Sequence, residues 1–354
     1  MSVNGPKKEQ IAVLTGGGDA PGLNAVIRGI TVRAISLGYD VLGLKNGWAG
    51  LLDEGISEQL DLDQVNGIHV TGGTILGTSR TNPYKVKNGS QQVKKNLKRL
   101  NCQYLIAIGG EDTLGVANKL YKDGIQVIGV PKTIDNDLNE TDYTFGFDTA
   151  VTRAAEAIRN LHTTAQSHSR VIIIEVMGRH AGWMTLHAGI AGGAHITLLP
   201  ERPFDINEIC KIIERREKNH EHYTIIAVSE GSVPKQGTGF VLQTKEKDAF
   251  GHVRLGGIAE ILSMEIEKRT GKECRHVVLG HLQRAGAPTA FDVVLGTRLG
   301  VKAVEMINKK EFGKMAALKG TNIVSVPLQK AVGKLKLVPK HLIDEERIFW
   351  GIED

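Results

Sequence analysis

What most constrains this chain is a recurring order: a short apolar run, then a loop rich in glycine or charge, then an amphipathic stretch. IAVLT leads through a glycine loop into GLNAVIRGITVRAISLG; DVLGL follows, then YLIAIGG with DTLGVANKLYKDG, then VIGVPKT. The apolar runs have strand length and the stretches between them have helical periodicity, so the alternation predicts βαβ units feeding a parallel sheet. A second series follows the helix-like DTAVTRAAEAIRNLHTTAQ: VIIIEVMG, MTLHAGIAGG, HITLLPE, the charged INEICKIIERREKNH and TIIAVSEG. Two doubly wound α/β domains are therefore expected, with the seam near residues 140–150 and a recrossing near HLQRAG. The expected division is 1–146 with about 283–325, then 147–282, with the charged, weakly patterned 326–354 as a peripheral extension.

Composition narrows the function. The net charge of +5 comes from scattered Lys and Arg, and the short basic clusters VKKNLKRL and KIIERREK are interrupted by apolar or acidic residues. That pattern fits small anions rather than nucleic acid. No apolar run has the length of a membrane span, and the one near the N-terminus is too short and glycine-rich for a signal segment. Cys102, Cys210 and Cys274 are odd in number and lack metal spacing, which predicts reduced structural thiols and a cytoplasmic enzyme.

Ligands of open α/β sheets bind beyond the carboxyl ends of the strands. LTGGGDAPGLNA places glycines at 16, 17, 18 and 22 before a helix start, where free backbone N–H groups hold phosphate. GGTILGTSRTNP supplies Arg80, and IGGEDTL and VPKTIDND bring Glu111, Asp112, Asp135 and Asp137 with Lys132 to neighbouring loops. So many acids around phosphate call for Mg²⁺, which prefers oxygen ligands and shares them with substrate phosphate. In the second series Arg179, Glu230, His281 and Arg284 sit at strand ends or turns, with Arg170 and Arg275 nearby. Arginine forks grip phosphate while Glu and His bond hydroxyls, the recognition set of a sugar phosphate.

In order, GGDAPGLNA, GGTILGTSR, IGGED, PKTIDND, DYTFGFDTA, EVMGRHAGW, SEG and VLGHLQRAG resemble the phosphofructokinase family over residues 9–310. The resemblance implies two Rossmann-like domains with the active site in the cleft, and phosphoryl transfer to the 1-hydroxyl of fructose 6-phosphate. It implies Asp135 as general base, with Thr133, Ile134 and Asp137 beside it, Glu111 at the magnesium position, Arg80 at the transferring phosphate and Arg179 beside the reacting groups. Gly17, Gly18, Gly110, Thr113 and Lys132 match the donor loops. Met177, Gly178, Glu230, His281, Leu282, Gln283 and Arg284 match sugar-phosphate contacts. Arg170 and Arg275 match arginines that reach the 6-phosphate across a subunit interface, which implies a homo-oligomer.

Nucleotide-using members have glycine where this chain has Asp112. A carboxylate there fills the space of the α-phosphate and nucleoside and repels an anion, by roughly 4 kcal/mol at 4 Å and a dielectric near 20. Lys132 replaces the glycine of many ATP-dependent bacterial members, and Lys45 replaces a tyrosine that covers the nucleotide. Asp112 and Lys132 together match the diphosphate-dependent members, whose reaction is reversible. Of the basic residues that bind a nucleotide effector in allosteric relatives, Arg28 is kept, while Val32, Gly55 and His162 replace others, so no strong response to ADP or phosphoenolpyruvate is expected. The alternatives are an ATP-dependent member that tolerates Asp112 and a non-catalytic regulatory subunit, against which intact Asp135, Arg179 and Glu111 argue.

Overall fold

The computed structural model describes residues 8–52, 56–236 and 257–351. The strands predicted from unbroken apolar runs are buried along almost their whole length, as a parallel sheet covered on both faces requires. In chain order they begin with β1 (Gln10–Thr15), α1 (Leu23–Ser36), β2 (Asp40–Leu44), β3 (Ser57–Leu60), α2 (Gly89–Arg99), β4 (Tyr104–Gly109), α3 (Glu111–Lys122) and β5 (Val127–Pro131). Then come α4 (Phe147–His168), β6 (Val171–Val176), α5 (Trp183–Gly192), β7 (Ile196–Leu198), α6 (Ile206–Lys218), β8 (Thr224–Ser229), α7 (Ile258–Thr270) and β9 (Cys274–Val278). The chain ends with α8 (Ala290–Asn308), β10 (Lys314–Lys319), β11 (Asn322–Pro327), α9 (Leu328–Ala331) and α10 (Lys340–Arg347).

The chain divides into two compact units. The first takes the described residues up to Ile134 with Leu138–Thr149 and Arg284–Leu335; the second takes Asp135–Asp137, Ala150–Gln283 and the described residues from Lys336 on.

The first unit holds a seven-stranded sheet of order β11-β10-β5-β4-β1-β2-β3. Its inner pairings are parallel, whereas β2 with β3 and β10 with β11 are antiparallel. The helices α1 and α8 cover one face at very short range. A Cβ on Gly29 would lie 2.7 Å from the Thr297 carbonyl oxygen, and one on Gly300 would lie 2.5 Å from that of Val26. Glycine on each helix is what lets the two backbones touch. The second unit holds a four-stranded, wholly parallel sheet of order β7-β8-β6-β9.

The residues expected to form a peripheral extension are packed into core. Val326, Leu328 and Ala331 join Leu114 and Leu138 in the first unit, while Val338 and Ile343 join Leu186 and Leu199 in the second. Among the described residues no helix is long and apolar enough to cross a membrane. The three cysteines are free. Burial raises each thiol above its ordinary value, that of Cys274 to about 12.

Candidate active site

In the first unit three loops meet because β5, β4 and β1 are neighbours and parallel, so their carboxyl ends lie side by side. The loop after β1 is welded to its surroundings through its backbone: Gly16 N donates to Ile108 O at 2.9 Å and Gly17 N to Ser79 O at 2.9 Å. Thr78 Oγ1 returns a bond of 2.6 Å to Gly17 O, which ties the segment carrying exposed Arg80 to the glycine loop. Asn24 on α1 extends the tie, donating to Thr71 Oγ1 at 2.9 Å and accepting from Ile75 N at 2.9 Å.

Thr113 explains two of the glycines. Its buried side chain sits between the loops, and a Cβ on Gly16 or on Gly109 would come within 2.6 or 2.4 Å of it. Any larger residue at either position would push the loops apart. The helix α3 then begins at Gly110, and α1 begins at Gly22; neither N-cap residue provides a side-chain cap. Two helix starts without side-chain caps thus lie on adjacent strand ends, an arrangement suited to an anion.

Lys132 is 3% exposed, and its Nζ donates to the Gly18 carbonyl oxygen. A Cβ on Gly17, which has φ +83°, would lie 3.3 Å from that Nζ. The ammonium therefore lies directly beneath the glycine loop. Glu111 and Asp112 occupy the first turn of α3, where the helix dipole favours carboxylates. Glu111 Oε1 accepts from Gly333 N at 3.2 Å, while Asp112 is exposed. Arg284 also belongs to the first unit: its Nη1 donates to Asp19 O at 2.9 Å, and its guanidinium lies against Gly18. Lys45 donates to Ile75 O at 2.9 Å and pairs with Glu58, so it braces the segment before Arg80.

The second unit gathers charged side chains at the carboxyl ends of β6 and β8. Glu230, at the end of β8, feels burial first and the Asp135 charge second, and both raise its carboxyl above the ordinary range. A backbone hydrogen bond from Gly178 and the charge of Arg179 pull the other way. Asp135, Gly178, Arg179 and Glu230 thus share one electrostatic neighbourhood. Gly178 is held by Ser229, whose Oγ donates to its carbonyl at 2.7 Å. Gln283 is buried and accepts from Met177 N at 3.2 Å, so it supports that loop from behind, whereas His281 and Leu282 are exposed. Thr133 accepts from Thr144 Oγ1 through its carbonyl, and Ile134 is fully buried; both belong to the first unit.

Arg170 and Arg275 stand apart from this group. Both bind Glu273, Arg170 Nε at 2.7 Å, just before β6 and near the start of β9. The register pairs Val171 with Cys274 and Ile172 with Arg275, which puts the two arginines at the amino end of the sheet. Six residues of strand, roughly 20 Å, separate that end from Met177 and Arg179. One ligand cannot touch both clusters within a single unit.

Sequence reasoning missed three contributors: Gly333, Lys336 and Asn136. Lys336 Nζ donates to Asn136 Oδ1 at 3.0 Å, inside the TIDND segment. Nothing in the tail's composition marks Gly333 or Lys336.

Residues 10–307 match the phosphofructokinase family, and the chain belongs to it. It is 56% identical over 344 residues to the pyrophosphate--fructose 6-phosphate 1-phosphotransferase of Amycolatopsis methanolica, covering 97% of this chain and 100% of that one. It is 53% identical over 331 residues to the ATP-dependent 6-phosphofructokinase of Corynebacterium efficiens, covering 93% and 95% of the two chains. A crystal structure of Pichia pastoris phosphofructokinase in the T-state superposes with a TM-score of 0.82 at 30% identity. That match covers 94% of this chain, which spans 36% of the longer yeast chain.

Proposed function

We propose that the protein transfers a phosphoryl group reversibly from inorganic diphosphate to the 1-hydroxyl of fructose 6-phosphate, forming fructose 1,6-bisphosphate and phosphate in the cytoplasm. The observation that carries the choice of donor is the pair at the glycine loops: buried Lys132 bonded beneath Gly18, and exposed Asp112 in the first turn of α3. The ammonium supports a small donor with concentrated charge, and the carboxylate stands where a nucleotide would need space. The relative from Amycolatopsis methanolica, named for diphosphate, supports the same reading.

The donor is bound through Gly17, Gly18, Gly110, Thr113, Lys132 and Arg80. Asp135 accepts the proton of the 1-hydroxyl as that oxygen attacks the terminal phosphorus, and phosphate departs in line. Arg80 and Arg179 stabilise the charge of the transferring group. Met177, Gly178, Glu230, His281, Leu282, Gln283 and Arg284 orient the sugar phosphate, with Thr133 and Ile134 shaping the approach to Asp135.

Among the described residues no group of three or more His, Cys, Asp or Glu side chains is arranged to hold a metal by itself. Mg²⁺ keeps several waters and needs one or two carboxylates, so it would arrive with its phosphate substrate. Glu111 would hold it, and the ion would supply neutralisation of the donor's phosphate charge. Arg170 and Arg275 serve the 6-phosphate of a neighbouring subunit's site, which their position at the opposite end of the sheet supports. The enzyme is non-allosteric on this reading. Val32 is exposed and aliphatic, His162 is engaged with Tyr223 at 3.3 Å, and Gly55 lies outside the described residues.

The deciding assay mixes purified protein, Mg²⁺ and fructose 6-phosphate with diphosphate or with ATP and measures fructose 1,6-bisphosphate. Product with diphosphate and none with ATP is expected; product with ATP alone would overturn the assignment. The relative from Corynebacterium efficiens is what favours ATP as the second reading.

A further inference from the structure

The tail between α9 and α10 does more than pack. Its residue Lys336 touches the segment that carries Asp135 at two points: Nζ donates to Asn136 Oδ1 at 3.0 Å, and the backbone N donates to Asp137 O at 2.8 Å. Asn136 is 2% exposed and has φ +52°, the left-handed conformation that Asn and Asp adopt more readily than other L-residues with a Cβ. It lies between the proposed base and Asp137, so its backbone conformation decides where the Asp135 carboxylate points.

Lys336 is itself fixed. Its carbonyl accepts from Trp183 Nε1 at 2.7 Å, and its ammonium stands 5.4 Å over the Trp183 ring. Two residues on, Val338 N donates to Glu201 Oε1 at 3.0 Å, and the same carboxylate accepts from Gly182 N at 2.9 Å. Gly182 and Trp183 open α5, directly after the loop that carries Met177, Gly178 and Arg179. The tail therefore bonds to two segments of the second unit. On one side is the start of α5 behind Arg179; on the other is the turn of Asp135.

We propose that Lys336 is a positioning residue for phosphoryl transfer: through Asn136 and Asp137 it locks the left-handed turn that aims Asp135. The inference rests on the proposed role of Asp135 as general base. It makes no claim about the donor, so it holds whether the wild type uses diphosphate or ATP.

The test is a double-substitution cycle with steady-state kinetics, run with whichever donor the wild type uses. Lys336→Met keeps the aliphatic stem and removes the ammonium. It should lower kcat about 10- to 100-fold, the range that a misaimed reacting group costs. The KM values for both substrates should stay within about threefold, because the lost interaction serves the transition state. Asn136→Gly tolerates the positive φ but lacks the acceptor, and should show a similar loss. The double variant should be no slower than either single one, and Lys336→Arg should restore most of the rate. Should Lys336→Met fail to fold, Asn136→Gly and Lys336→Arg still decide the matter. Wild-type kcat in Asn136→Gly or in a folded Lys336→Met, additive losses in the double variant, or a loss confined to KM would overturn the inference while leaving the proposed function intact. A wild type inactive with both donors would overturn both.

Discussion

The two units build their candidate sites by different physics. The first uses geometry: glycines at 16 and 109 closed around Thr113, two uncapped helix starts, and one buried cation bonded to the loop it supports. The second uses titratable side chains, with the Glu230 carboxyl pushed upward by burial and by its neighbour Asp135. The contrast teaches where selectivity and rate reside. Changes in the first unit should alter which donor binds and how tightly, with little effect on pH dependence; changes in the second should alter turnover and its pH profile.

The largest effect is expected at Asp135. Asp135→Asn should lower kcat by about 10²- to 10⁴-fold, the usual worth of a positioned base. It should also lower the Glu230 pKa, because a repelling charge has gone; an NMR titration of labelled Glu reads that shift. An unchanged Glu230 would break the picture of a shared electrostatic site. Next comes Lys132→Met, which deletes a charged hydrogen bond to Gly18 and should raise the KM for diphosphate roughly 10- to 100-fold. The pH profile of kcat should keep its shape; a displaced profile would contradict the division of labour.

The smallest effect is on stability. Glu346 on α10 is buried, accepts from Trp350 Nε1 at 2.9 Å, and has its carboxyl raised from 4.5 to about 7, chiefly by burial. The folded protein therefore holds this proton more tightly than the unfolded chain does. That contribution is fully present below pH 4.5 and is lost as the pH rises through about 7. Between pH 5 and 8 the melting temperature of Glu346→Gln should fall roughly 2–4 °C less than that of the wild type. Equal falls would show that the carboxyl titrates normally.

The alternation of apolar runs and glycine loops made the central strands of both sheets legible, because a strand buried on both faces is largely apolar, as residues 172–174 and 225–228 are. The hairpin of β10 and β11 escaped notice: β11 is a half-exposed edge strand whose residues alternate too weakly to stand out. The donor loops were readable because their glycines are needed by the backbone itself. The tail was not, since Gly333 and Lys336 act by contacts with residues about 200 positions earlier, at Glu111 and Asn136, and such contacts leave no local pattern. The structure also tempers one magnitude. Asp112 is exposed, so its repulsion of an anion falls from the roughly 4 kcal/mol expected at low dielectric toward about 1 kcal/mol in water. Exclusion of a nucleotide must then owe more to the space the side chain fills than to its charge.

Donor choice is the central claim, and the ratio of kcat/KM for diphosphate to that for ATP tests it most directly, measured for the wild type and for Asp112→Gly. The ratio should be large in the wild type and fall at least about fivefold in the variant, the minimum that the screened charge alone supplies. A wild type that favours ATP, or a ratio unchanged by removing Asp112, would contradict the account.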